Sequence, residues 1–169
     1  MMTTMKRVLF SCLLAIAVFP MMADSLTLRN LFVAMPDSLI PYLSKNNRLD
    51  FIDFIESNMK AEVTNELGGK SQMTALADDS ISIQLNDACH VDLLLLNTTE
   101  EVDSTRQVIA FVRTIGLENE DRECVVEFFS VKWNKLTVAP PLPISDEKRL
   151  LTRLKVLNTL DYLQKKLNK

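Results

Sequence analysis

The sequence predicts an α+β domain: N-terminal helices, a five-stranded antiparallel meander and a C-terminal helix. Three observations predict it. Apolar residues between Leu26 and Asn65 recur at helical spacing. From Ser71 to Trp133 the period shifts to two, with short polar turns between the apolar stretches. After Pro140-Pro141-Leu142-Pro143 the helical period returns. The connections between the extended stretches are too short for the crossovers that a parallel sheet needs.

The chain starts with the three-part plan of a secretory signal. Lys6 and Arg7 precede an apolar run from Val8 to Phe19, broken by Ser11 and closed by Pro20, and Ala23 offers a small residue before Asp24. The run is about a dozen residues, short of the roughly 20 needed to span a bilayer. Residues 1–23 are therefore read as a signal peptide, and the product as a protein exported to the periplasm or cell surface with no membrane span after cleavage. Cys12 raises lipidation as a rival, but Phe10 stands where a lipidation signal wants a small residue.

Within the helical region, Pro36 to Leu43 reads as a short helix with proline near its start. Asn46-Asn47 reads as the cap of a longer helix, with Asp50 favouring its positive end. At 100° per residue, Phe51, Ile52, Phe54, Ile55 and Met59 share one arc, while Asp50, Asp53, Glu56 and Lys60 lie opposite. Leu67-Gly68-Gly69 ends the region.

Ser71 to Ala77 alternates weakly, Asp78-Asp79 turns, and Ser80 to Leu85 alternates cleanly. Asn86-Asp87 turns into Val91–Leu96, the polar stretch Asn97 to Ser104 leads to Gln107–Ile115, and Leu117 to Arg122 leads to Cys124–Trp133. The prolines at 140–143 form an extended spacer. Ser145 then caps a helix running to about Lys166, whose apolar stripe shifts between Leu150, Leu154, Leu157 and Val156, Leu160, Leu163, Leu167. It packs on the open face of the sheet or pairs two copies as a homodimer. Residues 24–139 and 140–169 are read as one domain.

Cleavage removes two of the 19 basic residues and none of the 22 acidic ones, leaving a formal charge of −5. Nucleic acid needs clustered positive charge, which is absent here. Two cysteines remain, Cys89 and Cys124. In an oxidising compartment they form one disulfide, or they stay as two buried thiols.

The segments Leu31-Phe32-Val33-Ala34-Met35-Pro36-Asp37-Ser38-Leu39 and Asn46-Asn47-Arg48-Leu49-Asp50-Phe51-Ile52-Asp53 carry a resemblance, continued by Met59 to Val63, Asn65 to Ser71 and Met73-Thr74. Together they resemble an uncharacterised family of small exported proteins from Bacteroides-type bacteria, known only as a domain of unknown function. The match is dense over about residues 28–87, thins toward Trp133 and carries little after Pro140. It implies a compartment and a lineage, and no activity. Asp37, Asn46, Asn47, Arg48 and Lys70 within these blocks form a candidate ligand or partner site. The structural alternative is that Asp37 or Ser38 caps a helix and Gly68-Gly69 permits a turn.

His90 is the sole histidine and shares a strand side with Asp92. Such a pair orients a general base only where a nucleophile or substrate cleft adjoins it. Zinc-type ligand spacing, a phosphate loop and a Gly-x-Ser-x-Gly elbow are absent from the sequence. Asp78-Asp79 and Asn86-Asp87 lie at opposite ends of one strand, about 20 Å apart at strand rise, and cannot share a cation. No metal or cofactor is expected. Asp103-Ser104-Thr105 matches the three-residue acceptor for O-glycans of such bacteria, with Ser104 as the modified residue.

The expectation is an exported, non-catalytic protein that binds a small ligand or an envelope protein. Its alternatives are a structural or oligomerising envelope subunit and a hydrolase using His90.

Overall fold

Thr27 opens the first helix, α1 (Leu28–Ala34), its hydroxyl accepting from the amide of Asn30. This computed structural model describes residues 26–117 and 122–156. A 3-10 turn, Asp37–Leu39, leads to α2 (Lys45–Glu56). The cap of α2 is Ser44 rather than Asn46-Asn47. Ser44 Oγ accepts from the Asn47 amide, and Asn47 Oδ1 accepts from the Ser44 amide at 3.1 Å. This reciprocal box satisfies two end donors, so Asn47 sits inside the helix as its third residue. Phe51 and Ile52 are buried as their arc requires, while Met59 lies beyond the helix and is exposed. Each buried side chain of that size contributes about 1.5–3 kcal/mol, which holds a helix too short to persist alone.

Among the described residues the sheet has six strands, not five: β1 (Glu62–Thr64), β2 (Lys70–Leu76), β3 (Ser80–Asn86), β4 (Cys89–Val102), β5 (Thr105–Ile115) and β6 (Glu123–Ser130). They pair antiparallel in sequence order. β1 occupies a stretch that reads as helical, because three residues are too few to display a period of two. Asn47 ties it to α2 by donating to the Thr64 carbonyl. The polar run Asn97 to Ser104 is not a loop. β4 and β5 continue through it as a long hairpin that closes at Asp103-Ser104. β6 ends before Trp133, which lies in the following turn.

Both faces of the central strands are covered. On one, Ile81, Ile83, Val91, Leu93, Ile109 and Phe111 pack with Leu28, Phe32 and Phe51 of the N-terminal helices. On the other, Leu94, Leu96, Val108, Ala110 and Phe128 pack with Leu150 and Leu154 of α3 (Ile144–Val156). Burial on both sides explains why Val91–Leu96 is apolar almost throughout rather than alternating. The expected signal segment and the expected run of the last helix to about Lys166 fall outside the described residues.

The two-faced sheet also corrects the disulfide. Cys89 packs at the margin of the cluster under α1 and α2, whereas Cys124 belongs to the cluster under α3. With the sheet between them, both are free thiols.

Candidate functional site

Arg48 and Asp37, two of the expected site residues, do meet. Arg48 is 1% exposed. Its guanidinium donates to the carbonyls of Met35 at 2.7 Å and Leu43 at 3.0 Å, and pairs with Asp37 at 2.8 Å. These contacts fix the path of residues 35–43. Asn47 is used in the cap, and Asn46 is exposed on the same helix. Lys70 lies apart on β2, paired with Glu62 at 2.5 Å. The five residues thus do not enclose one hollow.

His90 lies on the α3 side of the sheet. Its Nδ1 is 3.1 Å from Gln84 Oε1 and its Nε2 is 3.3 Å from Asp92 Oδ2. Asp92 is fully buried and also accepts from Ser82 Oγ at 2.6 Å and from Arg153 of α3. Burial pushes the Asp92 carboxyl upward, but hydrogen bonds from His90, Arg153 and Ser82 outweigh it and hold the group below its ordinary range. The Ser82 hydroxyl is directed at the carboxylate, not at His90. The cluster therefore gathers donors around an anion, rather than setting a base against a nucleophile, and its chemical effect is to seat Arg153.

On the opposite face, the segment held by Arg48 forms one wall of a cleft of about 530 Å³. Leu39, Ile40 and Tyr42 line that wall, and Leu85, Ala88 and Ile115 line the other side. The turn beneath is fixed by Asn86 Oδ1, which accepts from the Ala88 amide, and by the Gly116 amide, which donates to the Ala88 carbonyl. Among the described residues, Arg113 is the one charged side chain in the lining. It donates to the Leu39 carbonyl at 3.1 Å, and its guanidinium carbon lies 5.2 Å from the Phe111 ring centroid, within cation–π range. Among the described residues no carboxylate pairs with it. Cys89 borders the same cleft. Burial raises its thiol, and the positive charge of Arg113 offsets this only in part. A second hollow of about 410 Å³ runs along residues 135–141, where Lys135 already pairs with Glu127.

Nothing in sequence marks the cleft, because its walls come from residues 38–42, 85–89 and 113–115. The one legible signal is Arg113 itself, a cation on the strand side that carries the buried Ile109 and Phe111.

Ser104 sits in the hairpin turn with φ of 70°, beside Asp103 at 50°, and both are exposed. No group of three or more His, Cys, Asp or Glu side chains arranged to hold a metal ion occurs among the described residues. No helix among them is long and apolar enough to cross a membrane.

A family model described as a protein of unknown function (DUF3256) matches residues 20–168. Among solved structures, the chain is similar to a domain of an uncharacterized protein from Porphyromonas gingivalis W83. The TM-score is 0.53 at 20% identity, over 76% of this chain and 68% of that one, which supports a shared fold. No curated protein matches the chain.

Proposed function

We propose that this chain, which belongs to the DUF3256 family of proteins of unknown function, is an exported binding protein that holds a small ligand in the cleft between residues 38–42 and the ends of β3, β4 and β5. The observation that carries the reading is the cleft itself. Its volume of about 530 Å³ falls in the roughly 300–1,000 Å³ span of small-molecule sites. Its lining follows the usual plan of apolar walls with few polar groups, here Arg113, Tyr42 and Asn86. The wall is pre-formed, since Arg48 anchors it through two backbone carbonyls.

Export rests on the charged, apolar and small-residue order of residues 6–23. The similarity to a Porphyromonas gingivalis domain is in keeping with a Bacteroides-type lineage. On this reading the protein works in the periplasm or at the cell surface, and Ser104, at the tip of an exposed hairpin, is its O-glycan acceptor.

Native mass spectrometry on the chain recovered from its own cells tests the proposal. The expected ion starts at Asp24, carries a sugar mass on the peptide holding Ser104, and holds a small-molecule adduct that disappears in Ala88→Phe. An ion whose adducts are unchanged by blocking the cleft overturns the binding reading. A retained leader overturns export.

A further inference from the structure

We infer that the ligand is a single-chain amphiphile with one carboxylate, whose head pairs with Arg113 and whose chain lies between Ile40, Leu85 and Ile115. This rests on the cleft being the binding site, and names what it takes. Arg113 is half-buried and, among the described residues, no other charged side chain lines the cleft, so the site balances one negative charge and not two. A dianionic phosphate would meet a single cation.

Geometry narrows the head group further. The Leu39 carbonyl takes one donor of the guanidinium, and Phe111 supports the group from its face. A planar, fixed guanidinium presents paired N–H groups that match a carboxylate in two parallel hydrogen bonds. The remaining lining is mostly apolar: Leu39, Ile40, Pro41, Leu85, Ala88 and Ile115. At about 30 Å³ per water-sized atom, the cleft holds on the order of a dozen heavy atoms with packing losses. That is the size of a medium-chain fatty acid. Ile115 is 44% exposed, and a bound chain would remove this apolar side chain from water.

Cys89 supplies a reporter at the site, since it borders the cleft while Cys124 lies on the other side of the sheet.

The test is calorimetric titration of the exported chain with laurate and with dodecanol, its uncharged match, on the native chain and on Arg113→Gln, Arg113→Lys and Ala88→Phe. Laurate is expected to bind about tenfold or more tightly than dodecanol. Arg113→Gln abolishes that preference, since a hydrogen bond to a charged group carries at least that factor, while Arg113→Lys retains part of it. Alkylation of Cys89, followed by peptide mass, slows when laurate is present, and that of Cys124 does not. If laurate and dodecanol bind equally, both blocked by Ala88→Phe, the carboxylate inference fails and the cleft stands. If neither binds, and no compound in a thermal-shift panel stabilises the native chain more than Ala88→Phe, both fail. Should Arg113→Gln not fold, the laurate-to-dodecanol ratio on the native chain and the Cys89 protection decide the matter alone.

Discussion

The indole Nε1 of Trp133 donates to the carbonyl of Leu31, 2.9 Å away and 102 residues earlier in the chain. Leu31 lies in the last turn of α1, where carbonyls lack helical partners, so a side chain from the far end of the sheet completes the helix. Trp133 holds this position with φ of 64°, a conformation rare for a bulky residue, and its ring packs 5.9 Å from that of Phe129. Trp133→Phe keeps most of the apolar contact but leaves the Leu31 carbonyl unpaired. The expected loss is about 1–3 kcal/mol, read by urea denaturation with circular dichroism. An unchanged midpoint would show that the bond contributes nothing.

Arg48 and Asp37 divide unequally. Arg48→Ala strips partners from two backbone carbonyls and leaves a buried void, for an expected cost of about 3 kcal/mol or more. Arg48→Lys offers a point charge in place of a fork and recovers only part of this. The Asp37 side chain is 64% exposed, so Asp37→Asn costs under about 1 kcal/mol. Equal losses in chemical denaturation from Arg48→Ala and Asp37→Asn would show that the ion pair, and not the carbonyl clamp, holds the segment.

These contacts mark the boundary of what sequence can tell. The clean alternation of Ser80 to Leu85 gives β3 and the face that carries Ile81, Ile83 and Leu85, but not the burial of Ser82 on the opposite face, against Asp92 and Arg153. The Leu150 and Leu154 line likewise gives the buried side of α3. Ser44 was obscured by Asn46-Asn47, two strong cap formers. The box Ser44-x-x-Asn47 carries the signal with asparagine where glutamate or glutamine is usual. The partners of Arg48 are backbone carbonyls, which have no residue identity to read. The cleft is further removed, because three separated segments build it.

The hairpin turn at Asp103-Ser104 places two non-glycine residues at positive φ, the geometry for which Asn-Gly is preferred. Ser104→Gly relieves the left-handed conformation, a gain of about 1 kcal/mol set against added freedom in the unfolded chain. Net stabilisation by about 0.5 kcal/mol is expected. The unglycosylated chain would show this as a higher melting temperature, and a fall would mean that the Ser104 side chain has a structural part in the turn.

Glu62 stands between Lys60 and Lys70, with 2.5 Å contacts to each. Hydrogen bonds from Lys60 and then Lys70 lower its carboxyl to about 2. A lowered folded value means the pairs contribute above the unfolded pKa of about 4.3 and are lost as pH falls toward 2. Because both lysines are exposed and Glu62 is only half-buried, salt screens the pairs. A side-chain NMR titration should place Glu62 well below the other glutamates at low salt and move it upward in 1 M salt. A midpoint indifferent to salt would contradict an exposed ion-pair origin.

Asp92 is the buried counterpart, and three residues of α3 show how the helix is seated around it. Asp146 accepts from the Asn97 amide at 3.1 Å, Arg149 donates to the Leu95 carbonyl at 3.1 Å, and Arg153 reaches Asp92. Their spacing of three and four places them beside Leu150 and Leu154 on the sheet side of the helix. Asp92→Asn leaves Arg153 and His90 facing a neutral group, with an expected cost of about 3 kcal/mol and faster proteolysis within α3. The sign of the pH effect follows from the lowered carboxyl. Its stabilisation is complete above the unfolded value of about 3.9 and declines as pH falls through the lower folded value. The native chain should therefore lose stability below about pH 4, and Asp92→Asn should lose less over the same window. Parallel stability profiles for the two chains, measured by urea denaturation between pH 2 and 6, would place the acid sensitivity elsewhere and reduce Asp92 to a packing residue.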